Sequence, residues 1–252
     1  MKRYFYVLLF SFTLIAIDCL SKKEKLTKLW LYTYSSGNSK YEDTVFTHTS
    51  FLNLQADNTY TLDFGIFEHG RWNNDKGFLS LQSESGKVTS YRISHFQENE
   101  LNLTDDKGIV LNFDGLPLKP ADSANNPFSI DNNLWRITAK KKESEQELKG
   151  RLRNHFKFYE AYFLWALGNN LNSIDVRSTP SPIKIYGNGF ALKEFDELPM
   201  LWRSYFYDEE DCKKANDTIK NIFEHKDISW ANTDNKYKMF VSAFQQLQRL
   251  IK

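Results

Sequence analysis

The residues most able to do chemistry in this sequence are its two cysteines and five histidines. None of the histidines stands in an H-x-x-x-H, H-E-x-x-H or Cys/His zinc pattern. The chain also lacks the glycine-rich loops that bind nucleotides and the G-x-S-x-G turn of serine hydrolases. We therefore predict no catalytic residue, no metal site and no cofactor. The histidines are His48, His69, His95, His155 and His225.

Cys19 follows a segment typical of a secretory signal. Residues 1–3 are Met-Lys-Arg, residues 4–17 are mostly apolar, and Asp18 stands just before the cysteine. The apolar run is too short to span a bilayer comfortably, which favours export over a membrane helix. A cysteine at this point resembles the signal of bacterial lipoproteins, which are cut before the cysteine so that its thiol carries a diacylglycerol. The resemblance implies lipid attachment at Cys19 and an exported protein anchored in the bacterial cell envelope, at the inner or the outer membrane.

Other interpretations of the N-terminus stay open. Asp18 departs from the lipoprotein pattern, in which a small residue normally precedes the cysteine. Ordinary signal cleavage after Ser21 would give an exported protein without lipid, and the third alternative is no cleavage. If Cys19 is lipidated, Cys212 has no partner for an intramolecular disulfide. A single cysteine on a helix is more often a small buried side chain than a reactive thiol.

Length and composition describe a folded protein with balanced charge. The chain has 252 residues, enough for one large domain or two small ones, and its 41% hydrophobic content allows a sizeable core. The formal net charge is +1, and removal of residues 1–18 leaves equal numbers of basic and acidic residues. Because nucleic-acid binding needs a strongly positive surface, we exclude nucleic acid as a partner.

The first half of the chain alternates apolar and polar residues in short runs, which is the period of half-buried strands. The pattern is clearest over residues 50–82, where turn residues such as Asp57 and Asn58 separate the runs. Further runs lead to residues 134–138, which we expect to be the closing strand. About eight strands predict a small antiparallel barrel. Large side chains favour a filled interior over a ligand cavity, namely Phe51, Phe64, Phe67, Trp72, Phe78 and Phe113.

A longer pattern covers the same region. Phe51–Leu81 contains F-x-x-L-x-x-D-x-T-Y-x-x-x-x-G, then G-x-W and D-x-G-x-L-x-L, and Trp30 lies ahead of it. Over residues 28–140 the chain resembles the small lipocalin-like domains of bacterial envelope lipoproteins, although Asn58 replaces the commoner glycine of the first turn. The resemblance implies a lipocalin-like barrel and does not indicate a ligand.

The second half is predicted to be helical. From Leu148 to Leu167 apolar residues recur at spacings of three and four, and Gly168 is a suitable C-terminal cap. Further helices are expected over residues 194–207, with Pro199 as a kink or a start point, over 208–225 and from Tyr237 to Ile251, with a short strand and turn at 183–189. We therefore predict an α+β protein with a signal peptide (1–18), a tether (19–27), a barrel domain (28–140) and a mainly α-helical domain (141–252).

The aromatic-rich stretch 198–207 is the candidate interaction surface, because Trp, Tyr and Arg are enriched at binding hot spots. Its candidate residues are Trp202, Arg203, Tyr205 and Tyr207, and the alternative is that they form a helical core. We expect a non-catalytic lipoprotein, held to the membrane by its N-terminal lipid, that binds a protein partner or a small apolar ligand. An enzyme with a site between the domains, and a structural component of an envelope assembly, are the alternatives.

Overall fold

The computed structural model describes residues 23–36, 50–64, 66–115, 126–169, 181–186, 189–225, 228 and 235–252. They form a closed eight-stranded antiparallel barrel, which is followed in the chain by helices and a small hairpin. The predicted α+β class, with a barrel followed by a helical region, is thus confirmed. Among the described residues, no helix has the length and apolar character needed to cross a membrane.

The strands β1 to β8 follow one another around the barrel in chain order. The ring closes where β1 pairs with β8, so that Leu31 lies opposite Asp114 and Ser36 opposite Val110. The strands are β1 Leu29–Ser36, β2 Phe51–Leu54, β3 Thr59–Asp63, β4 Phe67–Asp75, β5 Phe78–Ser83, β6 Val88–Phe96, β7 Glu100–Thr104 and β8 Val110–Asp114.

In β5 and the first half of β1 alternate side chains are buried, as the period-two pattern predicts, whereas four consecutive residues of β3 are buried. In β5, Leu79 and Leu81 are buried, whereas Phe78 is exposed. Trp30 is fully buried, and its indole N–H donates to the carbonyl oxygen of Leu26 at 2.8 Å. A Cβ atom on Gly115 would lie 2.6 Å from the Trp30 ring, so glycine is needed there. Of the six large residues expected inside, three are buried (Phe51, Trp72 and Phe113), Phe64 and Phe67 are half-buried, and Phe78 is not buried.

In the described part of the chain, four α-helices follow the barrel strands, and the longest begins with a capping box. The Ser144 hydroxyl accepts from the Glu147 N–H at 3.3 Å, and the Glu147 carboxylate accepts from the Ser144 N–H at 2.7 Å. This reciprocal arrangement satisfies two backbone donors that a helix start otherwise leaves free. The helices are α1 Glu145–Gly168, α2 Met200–Arg203, α3 Glu209–His225 and α4 Lys236–Leu250, with a hairpin formed by β9 Ile183–Tyr186 and β10 Gly189–Leu192.

Two predicted elements differ in the structure. Residues 134–138, expected as the closing strand, belong largely to the 3-10 helix Asp131–Arg136. The Asn133 amide holds this turn by donating to the carbonyl oxygens of Pro127 and Ser129, at 2.7 and 2.8 Å. The helix predicted over residues 194–207 is interrupted, because Pro199 has no N–H to donate and only α2 and a short 3-10 helix form there.

The described residues group into two compact units. The first unit contains 23–36, 51–60 and 69–115, and therefore most of the barrel. The second unit contains the helical region together with 61–68, apart from residue 65. The side chain of Thr61 accordingly donates to the carbonyl oxygen of Phe128 at 2.7 Å within the second unit. The predicted signal peptide and the start of the tether lie outside the described residues.

Candidate functional site

A buried group of polar and aromatic side chains surrounds Trp135 in the second unit. The Trp135 ring is 2% exposed, and its N–H donates to the carbonyl oxygen of Asn132 at 3.0 Å. Its ring centroid lies 4.4 Å from that of His155, 5.6 Å from Tyr205 and 6.1 Å from Trp202. We call this group the Trp135 cluster, and its members are Asp63, Trp135, Arg136, His155, Phe158, Trp202 and Tyr205.

Four separate elements position these side chains. Trp135 and Arg136 end the 3-10 helix, and α1 supplies His155 and, one turn later, Phe158. Asp63 ends β3, whereas Trp202 and Tyr205 come from α2 and the turn after it. The turn is fixed from the backbone, since the Ala139 N–H donates to the carbonyl oxygen of Tyr205 at 3.0 Å.

Arg136 supplies the positive charge of the cluster. Its side chain is fully buried, and Nη1 donates to a carboxylate oxygen of Asp63, which is also buried. The guanidinium carbon lies 5.0 Å from the centroid of the Trp135 ring and 4.7 Å from that of Phe158. Burial by itself would lower the pKa of Arg136, but the charge and hydrogen bond of Asp63, together with the nearby Tyr205 and Tyr159, outweigh burial and raise the pKa. The guanidinium group is therefore charged.

One edge of the Arg136 guanidinium has no partner among the described residues. Nη1 is used by Asp63, whereas Nε and Nη2, which share the other edge, make no hydrogen bond. The same edge of Arg151 has a partner, since its Nε and Nη2 donate hydrogen bonds to the Glu143 carboxylate at 3.1 and 2.9 Å. A buried donor without a partner costs free energy, so the edge of Arg136 is a candidate contact for a ligand.

Three further polar atoms of the cluster are buried and have no hydrogen-bond partner in the described part of the chain. They are the indole nitrogen of Trp202, the hydroxyl of Tyr205 and Nδ1 of His155. Burial raises the pKa of Tyr205 far above its ordinary value, so the hydroxyl stays protonated and can donate. Because Trp and Arg nitrogens only donate, the cluster presents a surplus of hydrogen-bond donors.

His155 and Ser181 form a pair that could suggest nucleophilic catalysis. The His155 Nε2 atom lies 3.2 Å from the Ser181 hydroxyl, which also accepts from the Ile183 N–H at 3.0 Å. Burial and the charge of Arg136 hold the pKa of His155 well below its ordinary value, so the imidazole is neutral. No carboxylate contacts its Nδ1 in the described part of the chain, and a catalytic triad needs such a group to orient the base. The pair therefore lacks the geometry of a triad.

The structure separates the four residues predicted as an interaction surface. Trp202 and Tyr205 are buried in the Trp135 cluster, whereas Tyr207 is 53% exposed. Arg203 is half-buried, and its Nη2 donates to the carbonyl oxygen of Phe195 at 2.6 Å. The aromatic stretch is thus mainly core, and Tyr207 is its accessible member. Cys19, the predicted lipid-attachment site, lies outside the described residues.

Other candidate chemistry is weaker. Cys212 is buried, and burial raises the pKa of its thiol to about 11, so the unreactive protonated form prevails at neutral pH. Within the ranges that the structure describes, no group of three or more His, Cys, Asp or Glu residues could hold a metal ion. In the barrel, Tyr32, Tyr60 and Trp72 are among the buried aromatic side chains.

Sequence reasoning missed Asp63 and Arg136 as a pair, because 73 residues separate them. The available signal was an arginine between Trp135 and Ile137 in an otherwise apolar run. Comparisons of this chain with protein-family models, with curated proteins and with solved structures find no match.

Proposed function

We propose that this protein is an exported, lipid-anchored protein of the bacterial cell envelope that acts by binding a small polar molecule, without catalysis. The observation that carries the binding part is the set of buried, unpartnered donors on Arg136, Trp202 and Tyr205 around the Trp135 ring. A ligand with hydrogen-bond acceptors would satisfy these donors, each of which costs about 1–3 kcal/mol when left unpaired. This favours a polar ligand over the wholly apolar ligand that the sequence suggested.

Aromatic rings complete the arrangement expected of a small-molecule site. Such sites are lined mostly by apolar and aromatic groups with a few convergent polar atoms. The rings of Trp135, His155 and Trp202 lie within 4.4 to 6.1 Å of one another, centroid to centroid. They offer flat apolar walls, whereas Arg136 and Tyr205 offer the directional contacts.

Binding can be tested by thermal unfolding of the full-length protein with a library of small polar compounds. A ligand that binds only the folded state at a hundredfold excess over its Kd adds about 2.7 kcal/mol of stability. We expect such a ligand to raise the Tm of the wild type and to act less on Tyr205→Phe, which loses one unpartnered donor. The matched control is Tyr207→Phe, because Tyr207 is exposed. Absence of any stabilising compound would contradict the proposal.

The anchor rests on the sequence around Cys19 and has a separate test. Intact mass and detergent partitioning of the mature protein should show a diacylglycerol on the wild type. Cys19→Ala should lose both the added mass and the detergent-phase signal. An unlipidated mature wild-type protein that begins at Lys22 would instead support cleavage after Ser21, and it would refute the anchor while leaving the binding proposal intact.

A protein partner is the second candidate, favoured by two apolar groups that are exposed in the aromatic stretch, one near its start and one at its end. Met200 is 88% exposed and Tyr207 is 53% exposed. Aromatic and methionine side chains are enriched at protein interfaces. Chemical crosslinking in intact cells, wild type against Tyr207→Ala, would detect such a partner as a complex that the variant loses.

A further inference from the structure

The orientation of the donors points to a ligand class, an inference that rests on the proposed binding function. We infer that the Trp135 cluster binds the carboxylate group of a small organic acid. The Nε and Nη2 atoms of Arg136 hold its two oxygens, and the hydroxyl of Tyr205 donates a further hydrogen bond. Nothing in the ion pair with Asp63 prevents this, because that pair uses the opposite nitrogen, Nη1.

The first argument is the shape of the free edge. Nε–H and one N–H of Nη2 point the same way on a planar guanidinium group, at the spacing of the two oxygens of a carboxylate. The same chain contains the occupied counterpart: Nε and Nη2 of Arg151 donate to Glu143, and its Nη1 donates to the carbonyl oxygens of Trp135 and Ile137. Arg136 likewise donates through Nη1 to a group of the protein, Asp63, but no carboxylate of the described residues accepts from its Nε and Nη2.

The second argument is the direction of hydrogen bonding. Arg136 and Trp202 can only donate through their unpartnered nitrogens, and the protonated hydroxyl of Tyr205 is a donor. The complementary ligand group is one that accepts at every polar atom. An ionised carboxylate does so, whereas an amide would bring N–H groups of its own that need acceptors.

The third argument is charge. Asp63 already neutralises Arg136, and both side chains are buried. A phosphate dianion would therefore place two uncompensated negative charges in a buried site, at a large desolvation cost. A carboxylate adds a single uncompensated charge, so its desolvation cost is smaller, and the hydrogen bonds from Arg136 and Tyr205 offset part of that cost. The rings of Trp135 and Phe158, which face the guanidinium carbon at 5.0 and 4.7 Å, favour a flat group at its edge.

Titration calorimetry of the full-length protein with sodium acetate and with its neutral isostere acetamide tests the inference. We expect saturable one-to-one binding of acetate and at least tenfold weaker binding of acetamide. Tyr205→Phe should weaken acetate binding by about ten- to a hundredfold, the value of a hydrogen bond to a charged group. Tyr207→Phe should leave it unchanged. Arg136→Lys keeps the charge but loses the two-pronged edge, and should weaken binding at least tenfold.

The outcomes separate the inference from the proposed function. Equal affinity for acetate and acetamide would overturn the carboxylate assignment and leave small-molecule binding standing. Acetate binding that is identical in Tyr205→Phe and wild type would place the site elsewhere, and would overturn the inference even if Arg136→Lys does not fold. No acetate binding, with no stabilising compound in the library, would mean that internal water satisfies the donors, and both proposals would fall.

Discussion

The ion pair between Asp63 and Arg136 permits a quantitative prediction. Asp63→Asn keeps the shape of the side chain but removes the counter-charge from a guanidinium group that is fully buried. Removal of one partner of a buried pair costs about 3–5 kcal/mol, because the remaining charge stays buried without compensation. That is a large part of the 5–15 kcal/mol, roughly, by which domains are usually stable. We expect Asp63→Asn to lower the free energy of unfolding by this amount.

The assay is urea unfolding followed by tryptophan fluorescence, arranged as a double-mutant cycle. Arg136→Met alone should also destabilise by several kcal/mol, since it leaves the Asp63 carboxylate buried. The other single variant of the cycle is Asp63→Leu, and the double variant Asp63→Leu/Arg136→Met should recover most of the loss, because apolar replacement of both partners is often neutral or stabilising. The sum of the two single-variant losses in the free energy of unfolding should therefore exceed the loss in the double variant, by a coupling free energy of about 3 kcal/mol.

A surface pair provides the control. Glu145 is 80% exposed beside Lys149 one helical turn away, and Glu145→Gln should change the free energy of unfolding by less than about 0.5 kcal/mol. If Asp63→Asn costs no more than this control, or if the two single losses simply add, then water reaches Arg136. The argument that its free edge lies in a desolvated site would then fail.

Two further predictions concern packing and pH. Gly70→Ala would place a Cβ atom 2.0 Å from the backbone oxygen of Gln82, so it should lower the free energy of unfolding by at least about 1–3 kcal/mol. A Cβ atom on Gly150 would meet only Nη2 of Arg153, at 4.0 Å, so Gly150→Ala should stabilise α1 by about 0.5–1 kcal/mol; urea unfolding measures both. The pKa of His155 is lowered in the folded state, so the unfolded chain takes up a proton first as the pH falls below the ordinary pKa of 6.5. The free energy of unfolding should therefore decrease below pH 6.5, by up to about 1.4 kcal/mol per pH unit. His155→Gln should flatten that dependence, and an unchanged slope would contradict the assignment.

Most of the barrel could be predicted from sequence because its signal is local. Tyr60 and Leu62 alternate with polar residues, and both lie buried in β3 as expected. The turn ahead of β8 was also readable, since Gly108 adopts a φ of +81° that favours glycine. The strand predicted over residues 134–138 was wrong, because a five-residue segment is too short for its sequence pattern to distinguish a strand from a 3-10 helix. The side-chain bonds of Asn133 decided between them.

The candidate site could not be predicted, because its members meet only through the tertiary fold. His155 is fully buried on α1, and no sequence motif marks it as part of a site. Trp202 and Tyr205 were predicted to form an interaction surface because their residue types are common at binding hot spots. Residue type alone does not show which side of a segment is buried in the protein. Nothing near Asp63 in the sequence indicates that its partner is Arg136, since the pairing depends on how the second unit packs.

Closure of the barrel makes folding of this region slow. The hydroxyl of Thr33 donates to the carbonyl oxygen of Asn112, 79 residues further along the chain. Contacts between such distant residues cost loop-closure entropy before they return any free energy, and proteins dominated by them fold in milliseconds to seconds. Helix α1 needs only its neighbours and its cap to start. During synthesis β1 therefore cannot pair with β8 until β8 has been made, so the barrel stays open. We expect this delay to allow the translocation that the proposed export requires.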